Sequence, residues 1–270
     1  FIYHGLMYRD LPSDRLYLIY PEHWSIGKFN TYIQLGITRN YPIKTNGNGQ
    51  WTLEARLPGI YNDFNYSFVQ YTSIVNYNIS KFEWKIRAFG RFGFGNTPLE
   101  SSLYLAGASP EQLYNNKLTR ATGFVPSNWE GFGANVNHFQ MGGGLNIRGY
   151  AGYVAPETDN GTQILNYVGK SGASISMELD FDKFFPIKPS KYTKYFHFDT
   201  YLFHDMGVLA ISNLANNQRL GKLRTSSGIG TALTIKIDQM NIKPFTIRFD
   251  MPLLLNATPA GTDNAAFRYV

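Results

Sequence analysis

The chain has 270 residues, no cysteine and a formal net charge of +6. The missing thiols exclude a disulfide scaffold, a cysteine-based zinc centre and thiol catalysis. No run of about 18 consecutive apolar residues occurs, which excludes a transmembrane helix, and an aromatic content of 16% argues against disorder. The fraction of charged residues, also 16%, is low for an average soluble domain. Mean hydropathy is only −0.26 although 43% of residues are hydrophobic. Apolar residues must therefore be diluted by alternation, as in a soluble β-rich domain or a transmembrane β-barrel. Lys and Arg are scattered singly, which reads as a solvated mixture of charges rather than a nucleic-acid surface.

The chain opens in the strand-like run Phe1-Ile2-Tyr3. Period two then dominates. Over 28–38, Phe29, Ile33, Leu35 and Ile37 alternate with Lys28, Asn30, Gln34 and Thr38. Near 51–57, Trp51, Leu53, Ala55 and Leu57 oppose Thr52, Glu54 and Arg56. Residues 64–79 are strand-like, but their alternation falters at Ser67–Val69 and predicts a bulge there. In 81–94, Phe82, Trp84, Ile86, Ala88, Phe92 and Phe94 face away from Lys81, Glu83, Lys85, Arg87 and Arg91.

A long insertion, 96–171, follows, with a short helix expected at 110–118. Alternation resumes at 173–181, where Ala173, Ile175, Met177, Leu179 and Phe181 oppose Ser174, Ser176, Glu178 and Asp180. At 196–208 the apolar set is Phe196, Phe198, Leu202, Met206 and Val208, against His197, Asp199, Tyr201 and Asp205. The runs 229–237 and 245–251 behave alike, and 265–270 closes the chain. About ten strands result. Short turns at Asn78–Ser80 and Asp238–Met240 contrast with long connections at 96–171, 209–222 and 253–264. Short turns on one side and long loops on the other, with strands of about ten residues, favour an outer-membrane barrel. A soluble β-sandwich is the alternative. The abrupt start and end lead us to expect a piece of a larger barrel whose missing strands lie N-terminal.

Within the insertion stands Gly142-Gly143-Gly144-Leu145-Asn146-Ile147-Arg148-Gly149-Tyr150. The core Ile147-Arg148-Gly149-Tyr150 resembles the [V/I/L]-R-G-[F/Y] motif of the Omp85 superfamily of outer-membrane barrels. Leu103-Tyr104-Leu105-Ala106-Gly107 resembles that family's lead-in to its sixth extracellular loop, and Phe203-His204-Asp205-Met206-Gly207 resembles its F-x-D-x-G signature. Glu178 lies where the family often has a lumenal Glu. Five strand-like runs follow the motif, as they do in the family. The resemblance spans essentially the whole chain. It implies an all-β transmembrane antiparallel barrel, with residues 1–270 supplying about ten C-terminal strands of sixteen and 96–171 forming a loop that enters the lumen. Any periplasmic domain would precede the chain.

The resemblance further implies that Arg148 reaches the opposing wall. Strand parity puts Glu178 and Asp205 on the lumenal faces, where a planar guanidinium takes paired bonds that Lys cannot match. Gly149 would permit a tight turn, and Tyr150 would pack on the inner wall. The last strand, with Phe267 and Tyr269, would form the seam at which a client strand pairs.

Other motifs carry less. Gly90-Arg91-Phe92-Gly93-Phe94-Gly95 lacks the strand–turn–helix setting of a phosphate loop. The five histidines show no metal-ligand spacing such as H-E-x-x-H. No G-x-S-x-G occurs. Aromatics such as Trp51, Trp84 and Tyr195 read as interfacial belts rather than nucleic-acid stacking platforms. No cofactor, metal or enzymatic activity is expected of this segment. The resemblance implies residence in a bacterial outer membrane among lipid and lipopolysaccharide. It implies assembly of outer-membrane proteins or polypeptide translocation, with client proteins and periplasmic or lipoprotein subunits as partners. Two alternatives stay open: a barrel anchoring an N-terminal enzyme or passenger domain, and an accessory subunit of an outer-membrane complex.

Overall fold

The computed structural model describes residues 1–8, 24–44, 46–105, 107–115, 142–150, 157–159, 162–164, 168–184, 195–212, 218–236 and 245–256. Nine strands build one large sheet: β1 (Ile2–Tyr8), β2 (Phe29–Ile43), β3 (Gly47–Pro58), β4 (Tyr66–Ile79), β5 (Phe82–Gly95), β6 (Ser171–Asp180), β7 (Phe196–Ser212), β8 (Arg224–Ile235) and β9 (Phe245–Leu255). Each strand pairs antiparallel with the next in sequence, so the sheet is an uninterrupted meander. Gln218–Leu220 adds a short tenth strand against the end of β7. Among the described residues the sheet does not close on itself, and β1 and β9 are its edges. The expected strand at 265–270 lies outside the described residues. The expected helix appears as α1 (Pro110–Asn115), and its remaining positions lie outside them too. No described helix is long and apolar enough to cross a membrane.

Alternation sorts the side chains onto two unlike faces. The outer face carries Leu6, Ile33, Leu35, Leu53, Leu57, Val69, Tyr71, Ile86, Phe92, Ile175, Leu202, Ile247 and Phe249, all exposed. Phe249 is 68% exposed and Ile37 65%, so among the described residues nothing packs over them. Exposed apolar side chains stand on eight of the nine strands, all but β8, a spread that soluble monomers rarely leave bare. Aromatics gather towards both ends of the strands. Phe82 packs on Phe184 at a ring separation of 5.0 Å at one end, and Phe92 on Phe94 at 4.7 Å and Tyr8 on Phe29 at 4.3 Å at the other.

The inner face is polar and is covered by part of the insertion. There, Phe89 and Leu209 join Leu103, Leu105, Leu145, Ile147, Tyr150 and Leu255 in a buried cluster. This cover corrects one expectation. β4 keeps an unbroken register with both neighbours, so no bulge interrupts it at Ser67–Val69. The alternation falters because the inward residues Tyr66 and Phe68 are also apolar, being buried on the inner face. The register shift lies instead between Ser227 and Gly228, where β8 meets β9. It turns Leu255 inward, opposite Ser226.

Connections differ between the two ends of the sheet. At one end β2 finishes at Ile43 and β3 begins at Gly47, and β4 and β5 are joined by 80–81, where Ser80 adopts φ +56°. At that end β6 and β8 also finish and β7 and β9 begin, while β1, β3, β5 and β7 finish and β2, β4, β6 and β8 begin at the opposite end.

Candidate functional site

The insertion returns to the inner face through backbone contacts. Leu103–Tyr104 pairs with Val168–Gly169, which brings its two limbs together. The Ile147 amide donates to the Leu105 carbonyl at 3.1 Å. On the wall, the Arg87 guanidinium donates to the Gly144 carbonyl at 2.7 Å, and the Ser174 hydroxyl to the Leu145 carbonyl at 2.7 Å. Leu145 and Ile147 are fully buried. Gly207 makes room for them, since a Cβ there would lie 2.8 Å from Ile147 Cδ1 and 2.8 Å from the Ala173 carbonyl oxygen.

These contacts set Arg148 between two carboxylates. Its Nε and one Nη donate to the two oxygens of Asp205 at 2.6 and 2.7 Å, a bidentate geometry. The other Nη reaches Glu178 at 2.8 Å, and the Arg148 backbone amide adds a bond to Asp205 at 3.1 Å. Asp205 is fully buried, so a buried charge has three donors. The Phe203 ring lies 3.9 Å beneath the guanidinium, a position that suits a cation over a π face. Phe203, Asp205 and Gly207 thus serve one arrangement as platform, acceptor and clearance.

The network continues to β9. Arg248 donates to Glu178 at 2.5 Å and to the Tyr201 hydroxyl at 3.0 Å, and that hydroxyl donates to Asp250 at 2.6 Å. Sequence reading found Arg148, Glu178 and Asp205 but missed Arg248, Tyr201 and Asp250. Parity places these three on the inner face, yet no motif singles them out.

Gly149 has φ +86°, and a Cβ on it would lie 2.9 Å from both Leu255 and Pro252. Both the backbone region and the space demand glycine. Gly149→Ala is expected to cost about 1–3 kcal/mol, read as a lower urea midpoint at unchanged m-value. Tyr150 is 1% exposed, and its hydroxyl bonds the Thr225 carbonyl at 3.3 Å and Asn256 Oδ1 at 3.1 Å. Phe267 and Tyr269 lie outside the described residues.

A second ionic network, unseen in the sequence, ties down the other limb. Here the strand supplies the cation. Arg56 of β3 donates to both oxygens of Glu111 on α1 at 3.0 and 2.8 Å, and to Asn30 at 2.9 Å. Its guanidinium stacks 3.5 Å from the Tyr32 ring centroid. Ser101 donates to Glu111 at 2.6 Å, and Asn30 donates to Glu100 at 3.1 Å. Arg91 donates to Gln70 at 2.7 and 2.9 Å, and to the Ser101 carbonyl at 3.3 Å.

The two glutamates respond oppositely. Burial would raise the Glu111 carboxyl, but Arg56 and the Ser101 hydroxyl outweigh it and hold it below its ordinary 4.5. Burial raises Glu100 above 4.5, because its neutral donors only partly compensate. Glu111 therefore contributes stability above the ordinary value, lost as pH falls through its lowered one. Glu100 contributes below the ordinary value and loses that contribution as pH rises through its raised one. Glu100→Gln is expected to lessen the decline in stability on raising pH from about 4.5, followed by urea unfolding at stepped pH.

Sheet and site together define an all-β protein with an apolar outer face and an inner face that holds its longest connection by two arginine-centred networks. Compared with known proteins, the chain matches no family model and no curated protein.

Proposed function

We propose that this chain is the C-terminal part of an Omp85-type barrel in a bacterial outer membrane, acting in outer-membrane protein assembly or polypeptide translocation. The observation that carries the reading is the seat of Ile147-Arg148-Gly149-Tyr150. The motif meets Asp205 of Phe203-His204-Asp205-Met206-Gly207 and Glu178 of β6 on the inner wall. The outer face supports the membrane half of the reading: its exposed Leu, Ile and Phe side chains suit hydrocarbon, and aromatics cluster near both strand ends. Strands of 10–17 residues from β2 to β9 are long enough to cross a bilayer at a tilt. Lipid tolerates no open sheet edge. Strands preceding β1 and following β9 would therefore complete the wall, giving a sixteen-stranded barrel in which 96–171 is the lumen-entering loop.

In this mechanism the loop holds the barrel's inner wall in one geometry, and clients engage at the seam by adding a strand. No covalent step is involved. Lipid and lipopolysaccharide surround the wall. Client outer-membrane proteins, or a translocated passenger, are the substrates, and periplasmic or lipoprotein subunits are the partners.

Depletion of the protein tests the function. A selective fall in several outer-membrane proteins is the expected result. Unchanged outer-membrane protein levels and unchanged secretion would refute assembly and translocation together. A second reading, a barrel that anchors an N-terminal enzyme or passenger domain, is favoured by the two networks that fasten the insertion inside. An anchor needs a barrel that stays shut.

A further inference from the structure

Away from both networks, three ligand-type side chains converge where β6 hands over to β7. His197 and Asp199 stand two residues apart on β7 and therefore share its inner face. Asp182 comes from the short 3-10 turn Asp182–Phe184 that follows β6. His197 Nε2 lies 2.7 Å from Asp199 Oδ1 and 4.0 Å from Asp182 Oδ2, and one donor atom from each residue falls within 4.8 Å of the others. We infer that Asp182, His197 and Asp199 form a binding site for a divalent transition-metal ion of the zinc or manganese class.

Donor chemistry and spacing carry the inference. One imidazole nitrogen with two carboxylates suits zinc, manganese or iron. Zinc bonds to such donors run about 2.0–2.2 Å, which puts neighbouring donors about 3–3.5 Å apart. The observed spacings bracket that range, so small side-chain rotations bring all three donors onto one ion. Two hydrogen bonds already fix the segments: the Phe181 amide donates to the Thr200 carbonyl at 3.0 Å, and the Asp182 amide to the Asp180 carboxylate at 2.9 Å. Charge also asks for a cation. The nearby Lys85 pairs with Asp180 at 3.7 Å. Among the described residues, His197 is the one basic side chain within 4.0 Å of Asp182 or Asp199. Two carboxylates thus face a single imidazole. The His197 side chain is 52% exposed, which leaves an entry path and room for water in the remaining coordination positions. Histidine-motif spacing does not reveal the site, because its ligands repeat at strand period and the third arrives from a turn.

The inference is independent of the membrane reading. Its test is titration of the full chain, free of any polyhistidine tag, with Zn²⁺ and separately with Mn²⁺ at pH 7.5 by isothermal calorimetry. One saturable site is expected for at least one of the two ions. His197→Ala and Asp182→Asn should each weaken it at least tenfold, while His204→Ala should leave it unchanged. Circular dichroism of each variant confirms that the sheet is intact. No saturable site for either ion below about 1 mM, or binding that persists in both ligand variants, would overturn the inference.

Discussion

Arg148→Ala is expected to lower stability by about 3–5 kcal/mol, the largest effect of any single substitution at the site. The reason is asymmetry. Asp205 is fully buried and takes three bonds from Arg148, while Glu178 keeps Arg248. Truncation strands the Asp205 carboxylate in a place water does not reach, and it also uncovers the Phe203 ring. Arg148→Lys should recover only part of the loss, since an ammonium cannot pair both Asp205 oxygens in one plane. Arg148→Ala combined with Asp205→Ala should cost less than the sum of the two single changes, because the second substitution removes the group the first one orphaned. Urea unfolding of the four proteins measures the coupling. Additive costs would show that the pair contributes no net interaction.

The second large effect is expected at Arg56. Its side chain is 3% exposed and Glu111's is 10%, so Arg56→Ala leaves another buried carboxylate without its cation, with the Ser101 hydroxyl still donating to it, at about 3 kcal/mol or more. The outcome should differ in place as well as size. Losing Arg56 frees the limb around Glu100, Ser101 and Glu111, while Ile147 and Arg148 stay seated by contacts to β5, β6 and β7. Limited proteolysis should therefore cut near 99–115 in the Arg56 variant and near 142–150 in the Arg148 variant. Cleavage at both places in both variants would show that the two networks release together. Glu111→Gln should be milder than Arg56→Ala, because an amide keeps one hydrogen-bond acceptor for the guanidinium.

Much of the wall was legible because alternation is a local property. The faces of 81–94 and 173–181 follow from parity alone, and the register joins them as Glu178 opposite Lys85 and Ser176 opposite Arg87. Long-range partners were legible only where a motif named them. Arg148 and Asp205 stand 57 residues apart, and periodicity does not join them. The resemblance of two short signatures does. Arg56 and Glu111 show the reverse case. Arg56 sits on a face that sequence assigns correctly, but its partner lies on a six-residue helix inside an insertion with no period of its own. The faltering pattern at Ser67–Val69 misled for a related reason. A strand face covered by a folded-back segment becomes apolar, and in sequence an apolar inner face looks like a broken strand.

A membrane barrel requires that the outer face meets lipid. Because the chain has no cysteine, single-cysteine variants can carry a spin label at one position each. Labels stepped along β4 from residue 69 to 76, in the full chain reconstituted in lipid vesicles, should alternate. Positions 69, 71, 73 and 75 should collide with oxygen dissolved in the hydrocarbon, and positions 70, 72, 74 and 76 should be shielded from it. Collision with an aqueous nickel reagent equally high at 69, 71, 73 and 75 would contradict the membrane reading, and it would make the apolar face a surface for protein rather than for lipid.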